Sequence, residues 1–172
     1  MQDLQKELLS DYNIIIRSYE NNKVENIPSF LKEINGITAL VDGSIIQLLD
    51  CDYICGQSHI NQGISQAIKA FNEHQNFAKD KGLEICVRTS AQKQISEALK
   101  LLGIKTEGNV TVVYINVTEE QIKKTEELLP GRNDSLIEEY DVENIVKSYG
   151  LNNSNNVVES INEKIALLAL KN

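Results

Sequence analysis

Two histidines and three cysteines among 172 residues leave little material for metal or nucleophilic chemistry. The patterns G-x-G-x-x-G, G-x-x-x-x-G-K-[ST], H-E-x-x-H and G-x-S-x-G do not occur. Nucleotide binding, zinc proteolysis and serine hydrolysis therefore lack their usual signatures. Cys51, Cys55 and His59 stand close together, yet C-x-x-x-C is not a zinc spacing, and a fourth ligand would have to come from Cys86 on another strand. A nucleophile pair of Cys55 and His59 would need an exposed thiol and an oriented base, and nothing in the sequence indicates either. An odd number of cysteines in apolar, strand-like surroundings points instead to reduced, buried thiols. No catalytic residue, metal or cofactor is expected, so the chain reads as a non-enzyme.

Long apolar runs are missing too. None reaches the ~18 residues of a membrane span, and the N-terminus "MQDLQKELLSDYN" carries charges where a signal peptide needs an apolar centre. A cytoplasmic chain with no membrane partner is expected. Basic charge is scarce overall: 17 Lys and Arg face 25 Asp and Glu, a formal charge of −8. That balance excludes a general nucleic-acid coat, because counterion release needs clustered cations. The distribution is uneven, however. Residues 56–105 hold seven basic and four acidic side chains, and the other 122 hold ten basic and twenty-one acidic.

The length suits one domain over residues 1–172, able to bury roughly 70% of its unfolded surface. "YNIIIRSY" has strand character, "IPSFLKEIN" is a short helix with Pro28 near its start, and residues 36–43 form a loop. "SIIQLLDCDYICG" is a strand entering a turn, and Ile60, Ile64, Ala67, Ile68 and Phe71 mark the buried stripe of a helix over residues 58–77. "GLEICVR" is expected as a second interior strand. Thr89 and Gln92 then stand in capping-box relation, with Ile95, Ala98, Leu99 and Leu102 at helical spacing and Gly103 at the end. "NVTVVYINV" is a strand, Thr118 and Gln121 form another capping box, and Pro130 with Gly131 end that unit. After Asp141 only helices remain, over "VENIVKSYG" and "NVVESINEKIALLALKN", joined by "LNNSNN". The class is α/β: a central mixed sheet with packed helices and a helical C-terminal tail.

Two features invite recognition. A helix start near Arg88 and Lys93 presents unpaired amides that suit an anion, unless Arg88 is spent in a pair with Glu84 or Glu97. In the last helix Val158, Ile161, Ile165 and Leu168 make one stripe while Val157, Ala166, Leu167, Ala169 and Leu170 add apolar groups on neighbouring faces. Such a helix is either deeply buried or covered by another protein. One reading of both features together is a small α/β regulatory domain that binds an anionic metabolite and homodimerises through the last helix.

The segments "IIQLLDCDYICG", "SHINQGISQAIKA", "LEICVRTSAQKQISEALKLLGIKTEGNVTVVYINV" and "NNVVESINEKIALLALKN" together resemble the kinase-binding subunit of the KEOPS complex in its archaeal form. The resemblance runs from about Ile45 onward, and its most specific part is carried by Arg88, Ser90, Gln92, Gln94, Ile95, Glu97 and Ala98. It implies a non-catalytic role in threonylcarbamoyl modification of the tRNA adenosine beside the anticodon. In that role the subunit binds and stimulates a small atypical kinase, reaches the other KEOPS subunits through it, and captures tRNA, notably its 3′ CCA end. On this resemblance Arg88, Ser90, Gln92, Lys93, Gln94 and His59 are expected at the tRNA. The helices of residues 142–172 are expected at the kinase, through Val158, Ile161, Ile165 and Leu168.

Overall fold

The computed structural model describes residues 2–170. Three strands, β1 (Ile14–Lys23), β2 (Ile45–Asp50) and β3 (Glu107–Ile115), lie in the order β1-β3-β2 with both pairs antiparallel. Ile115 sits opposite Ile14 on one side and Ile45 on the other. The central run "VTVVYI" lacks polar alternation because both of its faces are covered. Val110, Val112 and Tyr114 join Ile46 and Leu48 in one core, and Val113 and Ile115 join Leu49 in another on the opposite face.

Eight α-helices surround the sheet among the described residues: α1 (Gln2–Leu9), α2 (Ile27–Thr38), α3 (Gly56–Asn72), α4 (Lys81–Thr89), α5 (Ile95–Leu102), α6 (Glu119–Leu128), α7 (Val142–Tyr149) and α8 (Val157–Leu170). Helices α2 and α6 supply Ile34 and Ile122 to the first core, while α3, α4 and α5 supply Ile60, Ile64, Ile85, Ala98 and Leu102 to the second. A third core joins Cys55 to Ile145 and Tyr149 of α7 and to Val157, Ile161 and Ile165 of α8. The three cysteines are free and buried, and burial pushes the Cys55 and Cys86 thiols up to about 12, far from a reactive thiolate.

The architecture is α/β with a helical C-terminal tail, as expected. Lys171 and Asn172 of the expected last helix, like Met1, lie outside the described residues. The capping box of Thr118 and Gln121 is formed in both directions at the start of α6. Five expectations need correction. The loop expected over residues 36–43 begins late, since residues 36–38 are the last of α2. "GLEICVR" is helix α4, not a strand: the Asp80 carboxylate accepts the Leu83 amide at 2.8 Å as its N-cap, and Glu84 pairs with Arg88 one turn on. A short apolar run buried all round has no period to separate helix from strand. With that strand gone, the expected mixed sheet becomes an antiparallel one. Thr89 and Gln92 form no capping box, because Thr89 belongs to the last turn of α4 and Gln94 is the N-cap of α5. Helix α3 stops at Asn72 rather than near residue 77, with His74 in the left-handed region just beyond it.

Candidate functional site

The segment joining α4 to α5 is built by a helix end. Ala91 takes φ +59°, its amide donates to the Arg88 carbonyl at 3.0 Å, and the Gln92 amide donates to the Val87 carbonyl at 3.4 Å. These two bonds are those of a Schellman ending, with alanine where glycine is usual. Ser90 Oγ donates to the Val87 carbonyl at 2.7 Å and accepts the Gln92 amide at 3.2 Å, which tightens the turn. Lys93 and Gln94 are exposed, Gln92 is half-buried, and Gln94 offers no side-chain cap to α5. The opening amides of α5 thus follow directly on an exposed cationic and amide-bearing loop, a surface that suits phosphate and base edges.

Of the residues expected at RNA, the structure brings Gln92, Lys93 and Gln94 together on this loop, buries Ser90 at its base with the hydroxyl spent in the turn, and puts the other two beneath it. Arg88 is not at a helix start but in the last turn of α4, 1% exposed. Its Nε donates to Glu84 Oε2 at 2.7 Å, its Nη2 to the Gln75 carbonyl at 2.9 Å, and its guanidinium lies 4.1 Å from the centre of the Phe77 ring. Glu84 Oε1 also accepts the Phe77 and Ala78 amides at 2.8 and 2.7 Å. The pair therefore fixes the α3–α4 connection, and the internal-pair reading of Arg88 is the one the geometry carries. His59, on α3, is fully buried. Its Nδ1 accepts the Cys55 amide at 3.0 Å, so Nε2 carries the proton and donates to the Thr89 carbonyl at 2.8 Å. Burial holds its pKa down at about 4.

On α8 the expected stripe is divided. Ile161, Ile165 and Leu168 are buried with Val157, and Ile161 and Ile165 pack in the third core; Val158 is half-buried at its edge. The outer face carries Leu167 and Leu170, 42% and 81% exposed, with Ala166 and Ala169 half-buried beside them. Asn162 Nδ2 donates to Ser58 Oγ at 3.1 Å and ties α8 to the start of α3.

Two residues of the site escape sequence reading. Gly63 is where α3 and α4 touch: a Cβ there would overlap Thr89 Oγ1 and lie 2.8 Å from the Thr89 Cβ. Ala91, although in the loop, packs against the third core. Neither small residue stands out by type; the only signal is that Gly63 falls in the segment "SHINQGISQAIKA" and Ala91 between Arg88 and Ala98.

The family described as kinase binding protein CGI-121 matches residues 21–170. The regulatory protein Cgi121 of Methanocaldococcus jannaschii is 36% identical over 132 residues, which cover 75% of this chain and 86% of that protein.

Proposed function

The chain belongs to the kinase binding protein CGI-121 family, and from that premise we propose that it is a non-catalytic cytoplasmic subunit of the KEOPS complex. It binds and stimulates the small atypical kinase, meets the other subunits through it, and recruits tRNA by the single-stranded 3′ CCA end. The observation that carries this reading is the family match itself, which spans both candidate surfaces, the α4–α5 loop and α8.

Three further features support it. The cationic residues 56–105 correspond to the α3–α4–α5 layer on one face of the sheet, so the acidic chain keeps its local positive balance beside the loop. Single-stranded ends are read through unstacked bases and a few phosphates, which the amides of Gln92 and Gln94 and the charge of Lys93 can meet. The outer face of α8 leaves Leu167 and Leu170 in water, an apolar surface of the kind a partner covers. On this reading the kinase meets the outer face at Leu167 and Leu170, while the buried Ile161, Ile165 and Leu168, with Val158 at the edge of the third core, hold α8 in place. Among the described residues no helix is long and apolar enough to cross a membrane.

The test for RNA is a mobility shift at fixed salt with intact tRNA and tRNA lacking CCA. Loss of the CCA end is expected to weaken binding by about tenfold or more. Affinity is expected to fall with salt at a shallow slope, about 0.7 per phosphate contact for single strands. Equal binding of both RNAs would refute capture of the tail.

A further inference from the structure

The Schellman bonds at the end of α4 satisfy the Val87 and Arg88 carbonyls and leave the Thr89 carbonyl without a helical partner. That carbonyl is buried, and an unmet acceptor there would be costly. It is met from outside the helix: His59, four residues before Gly63 on α3, donates Nε2–H to it at 2.8 Å. The missing side chain at Gly63 lets α3 lie close enough to α4 for the imidazole to span the gap. The ring itself has no freedom to serve both tautomers. Its Nδ1 is fixed as the acceptor of the Cys55 amide, and its edge is set against Tyr149 of α7, with ring centres 5.5 Å apart at 84°. Tyr149 is held in turn by its hydroxyl, which donates to the Tyr53 carbonyl at 2.6 Å.

From this junction we infer that His59 is a positioning residue for RNA capture: its Nε2–H bond to the Thr89 carbonyl ends α4 at the turn that presents Gln92, Lys93, Gln94 and the first amides of α5. His59 does not touch RNA. It stands one residue behind the loop and decides where the loop begins. The adjacent Ala91, an alanine in the left-handed region, shows that the turn is held against its local preference, since a non-glycine residue there is disfavoured. The inference rests on the RNA reading given above for its functional consequence, and on the hydrogen-bond geometry alone for the pinning itself.

The two nitrogens can be imitated separately. A glutamine amide reaches the place of Nε2 and an asparagine oxygen the place of Nδ1, so His59→Gln keeps the bond to Thr89 and His59→Asn keeps only that to Cys55. Amide hydrogen exchange at Gln92, Lys93 and Gln94 is measured without RNA, and tRNA affinity is measured alongside. His59→Asn is expected to speed exchange in the loop and to weaken tRNA binding, each by about tenfold, the scale of one buried hydrogen bond left unmade. His59→Gln is expected to stay near wild type in both. Equal behaviour of the two variants overturns the inference. Faster loop exchange in His59→Asn with unchanged tRNA affinity overturns its functional half while leaving the pin. Failure of the wild-type protein to prefer the CCA end sinks the RNA reading instead and leaves the exchange result standing. Nitrogen-15 spectra of the wild-type imidazole test the pin even if neither variant folds: an Nε2–H tautomer at neutral pH is expected, and an Nδ1–H tautomer would overturn it.

Discussion

Replacing Arg88 with methionine keeps most of the buried volume and removes the only cation bonded to Glu84 among the ion pairs of the described residues. Both side chains are at most 1% exposed, and the contact is 2.7 Å. Glu84 would retain the amides of Phe77 and Ala78, but a buried carboxylate that loses its ion-pair partner costs about 3–5 kcal/mol. Gln75 would also lose the donor to its carbonyl. For a chain of this length each kcal/mol lowers the melting temperature by about 2–4 °C, so a fall of about 6–20 °C is expected. Urea unfolding followed by circular dichroism, with the slope compared between variants, gives the free energy directly. The double change Glu84→Gln with Arg88→Met should recover much of the loss, because glutamine can still accept both amides and no charge remains buried. A stability within about 0.5 kcal/mol of wild type for Arg88→Met, the range of an ordinary surface change, would refute the reasoning. So would a double variant no better than the sum of the single ones. Arg88→Ala in an RNA assay is read on the same footing: weaker tRNA binding counts against the internal-pair reading of Arg88 only when the variant is shown to be folded.

Gly63→Ala should destabilise by about 1–3 kcal/mol, the cost of overpacking, because its methyl would sit 3.0 Å from the Thr89 Cα as well as on the side chain; an unchanged urea midpoint would contradict the close crossing of α3 and α4. His59 gives stability a pH dependence of definite sign. Its folded pKa lies below the ordinary 6.5, at about 4, so the unfolded chain binds a proton that the native one refuses. The contribution is complete above pH 6.5 and is lost as pH falls toward 4, at up to about 1.4 kcal/mol per pH unit and about 3 kcal/mol in all. Unfolding free energies at pH 7, 6 and 5 should fall more steeply for wild type than for His59→Gln, and parallel lines would contradict a neutral buried imidazole.

Much of the fold was legible because the chain states it locally. "NVTVVYINV" is too uniformly apolar to be an exposed strand, Pro28 opens a helix where fixed φ is harmless, and Thr118 with Gln121 cap α6 as written. The region around residues 81–94 was harder for a physical reason. Ile85, Cys86 and Val87 are all fully buried, so α4 has no exposed side to give it a period, and its one charged pair is inside. Thr89 and Gln92 satisfy a capping pattern in sequence, yet tertiary bonds from His59 and the turn at Ala91 place the helix boundary elsewhere. The sequence sets Arg88 as a cation near a helix start that suits an anion, but charge in a sequence does not tell which side of a helix is buried. The terminal helix illustrates the same limit. Its spacing reads as a stripe of Val158, Ile161, Ile165 and Leu168, and only the structure shows that the inward seam takes Val157 in place of Val158, which stays half-buried at the edge of the third core. Leu167 and Leu170, left over by that seam, are what the sequence could name but not assign.

Titration calorimetry with the small KEOPS kinase of the same organism decides whether the outer face of α8 meets a kinase. Wild-type protein is expected to form a pair, and Leu167→Glu and Leu170→Glu, both on exposed positions, should each remain folded and weaken it by about tenfold to a hundredfold, the range of a lost apolar anchor. Ile161→Glu, by contrast, should lose the fold, since it buries an unpaired carboxylate in the third core. Unaltered kinase affinity in folded Leu167→Glu and Leu170→Glu variants would contradict the placement, and absence of binding by the wild type would contradict the kinase partner itself.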